Sequence, residues 1–203
     1  MVTVPGMEPI FLASHPALDF LNTSMAPQGT PIEFIGDGRS LVDWLVGAGL
    51  LDPQGASRVK RRLGAEALDA VAAEARKLRD WAGGWISRWR EAPGGNHETE
   101  RRRLNGLLER ASSHRELVHA KDGLRLMERC RIYSADDLLA LVAAQIALLV
   151  STEQPGLVKR CAGAGCTVWF LDRTKAHRRV FCSASVCGNR AKVAAFRERQ
   201  RAS

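Results

Sequence analysis

Four of the five cysteines in this 203-residue chain fall in two close pairs, Cys161 with Cys166 and Cys182 with Cys187, in the pattern C-x4-C-x15-C-x4-C. Two close pairs a short span apart are how a chain gathers four thiolates around one tetrahedral ion. The rival reading is two disulfides. The cytoplasmic compartment expected for this chain argues against it. So do Arg160, Arg178, Arg179 and Arg190, which flank the cysteines and whose charge favours thiolates. The expected cofactor is one zinc ion per chain. Four thiolates close its coordination shell and leave no position for a reactive water, so its role is structural. His177 lies between the pairs and reads as a surface residue. Cys130, the fifth cysteine, reads as a small core residue on a strand.

Charge gathers around the same cysteines. From Val158 to the end, eleven lysines and arginines stand against Asp172 and Glu198, a net of +9, whereas residues 1–157 carry 19 basic and 20 acidic groups. Such segregation points to a polyanion, either nucleic acid or an anionic membrane face. The residues that could meet it are Arg173, Lys175, Arg178, Arg179, Asn189, Arg190, Lys192, Arg197 and Arg201. Phosphate contacts would position the module, and an arginine reaching a base edge would specify the site.

Other classes are excluded by composition and motif. With 45% hydrophobic and 26% charged residues the chain has the balance of a globular protein. Its longest apolar stretch, Leu138 to Val150, falls short of the roughly 20 residues that cross a bilayer. Residues 1–6 lack the basic and apolar regions of a secretory signal, so the expected location is the cytoplasm and no membrane partner is expected. The chain contains no P-loop, G-x-G-x-x-G, G-x-S-x-G or H-E-x-x-H motif, and an enzyme is not expected.

The elements that must position these residues follow from periodicity and breakers. Residues 9–13 read as a short strand, and Ser14 as the cap of a helix opened by Pro16. Leu41 to Val46 reads as a helix stopped by Gly47 and Gly49, and Asp52 with Pro53 opens another. Apolar residues from Leu68 to Trp89, including Trp81 and Trp85, recur at helical spacing, with Gly83 and Gly84 as a potential kink. Residues 99–110 return to helix. Residues 116–120 and 124–127 flank Asp122 and Gly123 as a β-hairpin. Ser134 and Asp137 form a capping pair before a helix to about residue 152, apolar nearly all round and hence central. Glu153 to Gly156 begins a linker.

In the cysteine-rich tail, Thr167 to Leu171 reads as a strand with Arg179 to Phe181 as its partner, and the helix 188–201 follows. On that helix Asn189, Val193 and Phe196 share a face that should pack on the hairpin, with basic ridges beside it. The expected fold is mainly α with a small β-hairpin in an N-terminal domain, residues 1–155. A treble-clef-like zinc finger with four cysteine ligands, built of hairpin plus helix over residues 156–203, completes it.

These residues resemble a family. Arg160, Cys161, Cys166, Trp169, Phe170, Asp172, Arg178, Arg179, Cys182 and the run Cys187, Gly188, Asn189, Arg190 resemble the CGNR zinc finger. Residues 15–23, from His15 to Thr23, and 41–45, followed by Gly49 to Leu51, resemble its companion, the ABATE domain. Phe181 stands where the finger would be expected to carry tryptophan. The resemblance implies a bacterial, stress-induced transcriptional regulator with a DNA-binding finger, the four cysteines being its zinc ligands. Double-stranded DNA is thus the expected partner, with an RNA-binding or protein-interaction module as the alternative. The N-terminal domain would sense a small-molecule effector or form a homodimer. His15, Asp19, Asn22 and Trp44 are the candidates for an effector pocket, though capping and core hydrogen bonding would use the same polar groups.

Overall fold

Helix starts in this protein are set by local acceptors. The computed structural model describes residues 9–27 and 29–201, so residues 1–6, read above for a leader, lie outside it. Asp37 caps α2 (Gly38–Gly47) in a reciprocal box with Ser40. Asp52 accepts the Gly55 N–H to cap α3 (Pro53–Arg62), with Pro53 in the first turn. α1 (Pro16–Leu21) is capped by His15, whose Nδ1 accepts the Ala17 N–H, and not by Ser14. Ser14 sits at φ 62°, outside the extended conformation a capping residue needs.

α4 (Ala65–Glu91) runs unbroken through Gly83 and Gly84 for 27 residues. Its buried stripe of Leu68, Val71, Ala75, Leu78, Ala82, Trp85 and Trp89 packs on α6 (Asp137–Thr152), which is buried over most of its surface. α1, α2 and α5 (Glu98–Leu108) close around these two. Trp44 is 1% exposed, and its ring lies 5.4 Å from that of Phe20. Among the described residues no helix is long and apolar enough to cross a membrane.

Among the described residues, three two-stranded antiparallel sheets complete the fold: β1 (Ser24–Met25) with β2 (Ile32–Glu33), β3 (Ser112–Ala120) with β4 (Gly123–Arg131), and β5 (Val158–Arg160) with β6 (Trp169–Leu171). The β3–β4 ribbon is longer than the sequence suggests, and Gly123 supplies the φ of +119° that its tight turn needs. Despite its period-2 alternation, Leu117, Leu124 and Leu126 on one side are each at least 60% exposed. Cys130 shares that side and is exposed, so it is not a core residue. The stretch 9–12 is irregular and makes no strand.

The tail differs in strand choice. β6 pairs with β5, which precedes the first cysteine pair; Arg179 to Phe181 forms no strand. Three residues of alternating character carry too weak a periodic signal to announce β5. The break after α6 is real, but residues 155–157 form a short 3-10 turn, and Leu157 and Val158 pack on the main core. The segment is therefore no loose tether. Trp169 and Leu171 enter the same core, while Phe170, Val168 and three cysteines build a second one with Met25 and Phe34.

The cysteine centre and the basic helix it carries

The four predicted ligands converge. Their sulfur atoms all lie within 4.8 Å of one another. Cys166 Sγ is 3.9 Å from Cys182 Sγ, which is 3.6 Å from Cys187 Sγ. A tetrahedral ion bound at about 2.3 Å by four sulfurs requires sulfur–sulfur edges of about 3.8 Å, so the spacing fits zinc. The first pair sits in the loop between β5 and β6; of the second, Cys182 precedes and Cys187 lies within a π-helical turn, Ala184–Gly188, that feeds directly into α7 (Asn189–Arg201). Gly163 in the first loop is a close fit: a Cβ there would lie 3.2 Å from Cys187 Sγ and 3.4 Å from Cys161 Sγ.

Donors surround the sulfurs as thiolates require. Cys161 Sγ accepts N–H groups from Cys182 at 3.3 Å and Gly163 at 3.4 Å, and Arg190 Nη2 reaches Cys187 Sγ at 3.1 Å. Burial pushes the Cys161 thiol up, but those two N–H groups outweigh it and bring it below its usual value. Burial pushes the Cys166 thiol up to about 11 and raises Cys182 as well, with sulfur neighbours adding to both. Four crowded thiolates repel one another unless a cation neutralises them, and zinc supplies that charge.

Of the flanking arginines expected to act on the thiolates, only Arg190 reaches a sulfur. Arg160 lies over the Trp169 ring at 4.6 Å. Arg179 covers the Phe170 ring and donates to the carbonyls of Phe181 and Cys182. His177 is exposed and stands apart from the sulfur cluster. Phe181 packs against the second core.

The sequence reading missed a buried hub. Asp172 is fully buried, and its carboxylate accepts Lys159 Nζ at 2.6 Å, Arg179 N at 2.9 Å, and both the N–H and hydroxyl of Thr174. Burial alone would raise its pKa, but these donors outweigh it and hold the carboxyl well below the usual range. Lys159 also bonds the carbonyl of His177 at 2.7 Å, so it shapes the 172–179 loop from within and is not offered to a partner.

The residues assigned to a polyanion divide in two. Lys175, Arg178, Asn189, Lys192, Arg197 and Arg201 are exposed, and their side chains have no hydrogen-bond or ion-pair partner among the described residues. Arg173 is exposed but pairs with Glu153 at 2.7 Å. Arg179 and Arg190 point inward, Arg190 also bonding the Pro27 carbonyl at 2.6 Å. α7 itself buries no residue. Val193 and Phe196 are 48% and 55% exposed, so the face expected to pack on the hairpin is open to solvent. Its pattern is amphipathic, but no layer among the described residues covers it.

The side chains of His15, Asp19 and Asn22 bond backbone atoms, and Trp44 is buried in the core. Asp19 Oδ1 accepts the Ala13 N–H at 3.0 Å. The Asn22 amide donates to the Trp169 carbonyl at 2.9 Å and accepts the Trp169 N–H at 2.8 Å, as a neighbouring strand would. Leu171 N also bonds Ala13 O, and Ala26 N bonds Thr167 Oγ1, so α1 and its flanks hold β6 in place.

Burial pushes Asp19 up to about 6, although the N–H groups of Ala13 and Leu12 pull it down. The folded chain thus holds a proton there that the unfolded chain releases above about pH 4. The stability from this group is present at low pH and lost as pH rises through 6. Urea unfolding should show wild type gaining about 1 kcal/mol relative to Asp19→Asn between pH 7 and pH 5. A parallel pH dependence in the two proteins would refute the assignment. His15 runs the other way: burial lowers its pKa, with Glu153 opposing and Arg173 assisting, and keeps Nδ1 free to cap α1.

Two family profiles match the chain. The one described as "putative stress-induced transcription regulator", ABATE, covers residues 14–153, and the CGNR zinc finger covers residues 158–200. A search of curated proteins returns no match. The four clustered sulfurs and the finger profile together define a structural zinc site with Cys161, Cys166, Cys182 and Cys187 as its ligands.

Proposed function

Because the chain belongs to the ABATE family of putative stress-induced transcription regulators and carries a CGNR zinc finger, we propose that it regulates transcription by binding duplex DNA through that finger, in a zinc-dependent way. The observation that carries this reading is α7. It begins beside a zinc ligand, buries nothing, and displays Lys192, Arg197 and Arg201 to solvent. An exposed helix rich in cations, in a segment with a net charge of +9, matches the charge and width of a DNA major groove. We read the finger as a binding surface and not a catalytic one, since four thiolates leave zinc no open position.

The N-terminal domain supplies regulation in this reading. An open cleft of about 540 Å³ between α4, α5 and α6, lined by Trp85, Trp89, His97 and Asn105 among others, is large enough for a small effector.

The test is binding to duplex DNA across a salt series. Five exposed cations of the finger whose side chains lack partners among the described residues (Lys175, Arg178, Lys192, Arg197 and Arg201) would give a slope of log K against log salt of about −4.5 if each met one phosphate, at about 0.9 per phosphate. Replacing Lys192 or Arg201 with glutamine should lower the slope by about 1 each, and chelation should abolish binding. Binding that is indifferent to salt, or that survives loss of zinc, would overturn the proposal.

A further inference from the structure

α7 carries more than charge. At 100° per residue, Asn189, Val193, Phe196, Arg197 and Gln200 fall within an arc of about 100°. Glu198, the helix's acid, lies about 150° from the centre of that arc. Val193 is about half exposed near the middle of this face and Phe196 about half exposed at its edge, and Val186 of the preceding turn extends it at 49%. An open groove of about 630 Å³ runs along it past Asn189, Val193, Ala194 and Arg197. Exposed apolar side chains that share one face, rimmed by polar groups, mark a contact surface.

The composition of the face indicates which contact. Major-groove base edges are read by arginine on guanine, by asparagine or glutamine on adenine, and by apolar side chains against the thymine methyl group. All three kinds of reader stand on this one arc, and the acid that would repel phosphate is turned away. The helix is about 20 Å long, and its width suits the groove. Cys187 anchors its start, and Arg190 locks its first turn to the Pro27 carbonyl and the Cys187 sulfur. The inward use of Arg190 leaves Arg197 as the arginine within the arc.

We propose that α7 is a major-groove recognition helix whose Val193 and Phe196 read thymine methyl groups, flanked by Asn189, Gln200 and Arg197. This rests on the DNA-binding reading above and adds the basis of sequence choice. An apolar contact of this kind is a difference of one methyl group per base, worth roughly four-fold in affinity for each.

The full zinc-loaded chain would first select a duplex from a random pool. The same duplex would then be made with uracil for thymine, which removes only the 5-methyl groups. Wild type should bind the uracil duplex at least four-fold more weakly. Phe196→Ala and Val193→Ala, both at exposed positions, should keep their zinc and helix content, bind the thymine duplex more weakly, and lose much of the discrimination. Equal binding of the two duplexes by wild type, a selected site without thymine, or variants that discriminate as wild type does would each overturn the inference while leaving DNA binding intact. Dissociation of a DNA-free dimer by Phe196→Ala would overturn it too, by making the face a seam between copies. Failure to select any duplex would overturn the DNA-binding reading itself.

Discussion

Cys182→Ala should leave the chain with less than one equivalent of zinc and an unfolded finger, and the damage should spread beyond it. Cys182 is 7% exposed and its sulfur has two cysteine sulfurs within 4 Å, so no other donor is placed to substitute. A structural zinc contributes apparent binding free energies of about 10–16 kcal/mol near neutral pH, as large as the whole stability of a typical domain. β6 lies between the two sulfur pairs in sequence, yet it delivers Trp169 and Leu171 to the main helical core. Unravelling the finger therefore exposes the end of that core. The expected result is a zinc content near zero by native mass spectrometry and a thermal transition lowered for the helical domain as well. Cys130→Ala, at an exposed site, should keep one zinc and melt as wild type does. A Cys182→Ala protein that retains zinc, or whose helical transition does not move, would refute this account of the centre.

The second large effect concerns a charge inside the helical core. Arg79 projects from the buried stripe of α4, and its guanidinium grips Glu33 with two bonds, of 2.7 and 2.8 Å. Both side chains are at most 6% exposed. Arg79 also bonds Thr23 Oγ1 at 3.2 Å, and Glu33 Oε1 takes the Ile35 N–H at 2.9 Å. Arg79→Met should cost about 3–5 kcal/mol, because Glu33 would remain buried without its counter-charge. Replacing both partners, Arg79→Met with Glu33→Leu, should recover much of that loss. The exposed pair Lys77 and Glu74 should contribute less than about 1 kcal/mol, as surface pairs do. Urea unfolding of the four proteins checks the order. If the single Arg79 variant were no worse than the Lys77 variant, the buried pair would carry no weight.

Local chemistry made much of the fold legible. Cysteine spacing gave the metal centre, Asp52 with Pro53 gave a helix start, and Asp122 with Gly123 gave a turn, because each signal lies within a few residues of its effect. What stayed hidden depends on distant partners. Asn22 meets Trp169 across 147 positions of sequence, and nothing near Asn22 announces it. Ser14 has the right side chain for a cap but the wrong backbone angle. Cys130 and Phe196 sit on amphipathic patterns that normally imply burial, yet both stay exposed among the described residues. Arg79 could have been noticed, since a charge on the apolar stripe of a helix calls for a buried partner.

The seam between α1 and β6 limits how the finger can work. Asn22 clasps the Trp169 backbone from both sides, Leu171 and Thr167 bond segments flanking α1, and Arg190 holds Pro27. In the proposed DNA-binding role, these bonds tie the reading head to the helical domain along its whole seam. In any assembly of two copies, half-site spacing becomes a mechanical constraint, because one inserted base pair turns a target by about 34–36°. A head on a slack leash would absorb that turn; this one would miss.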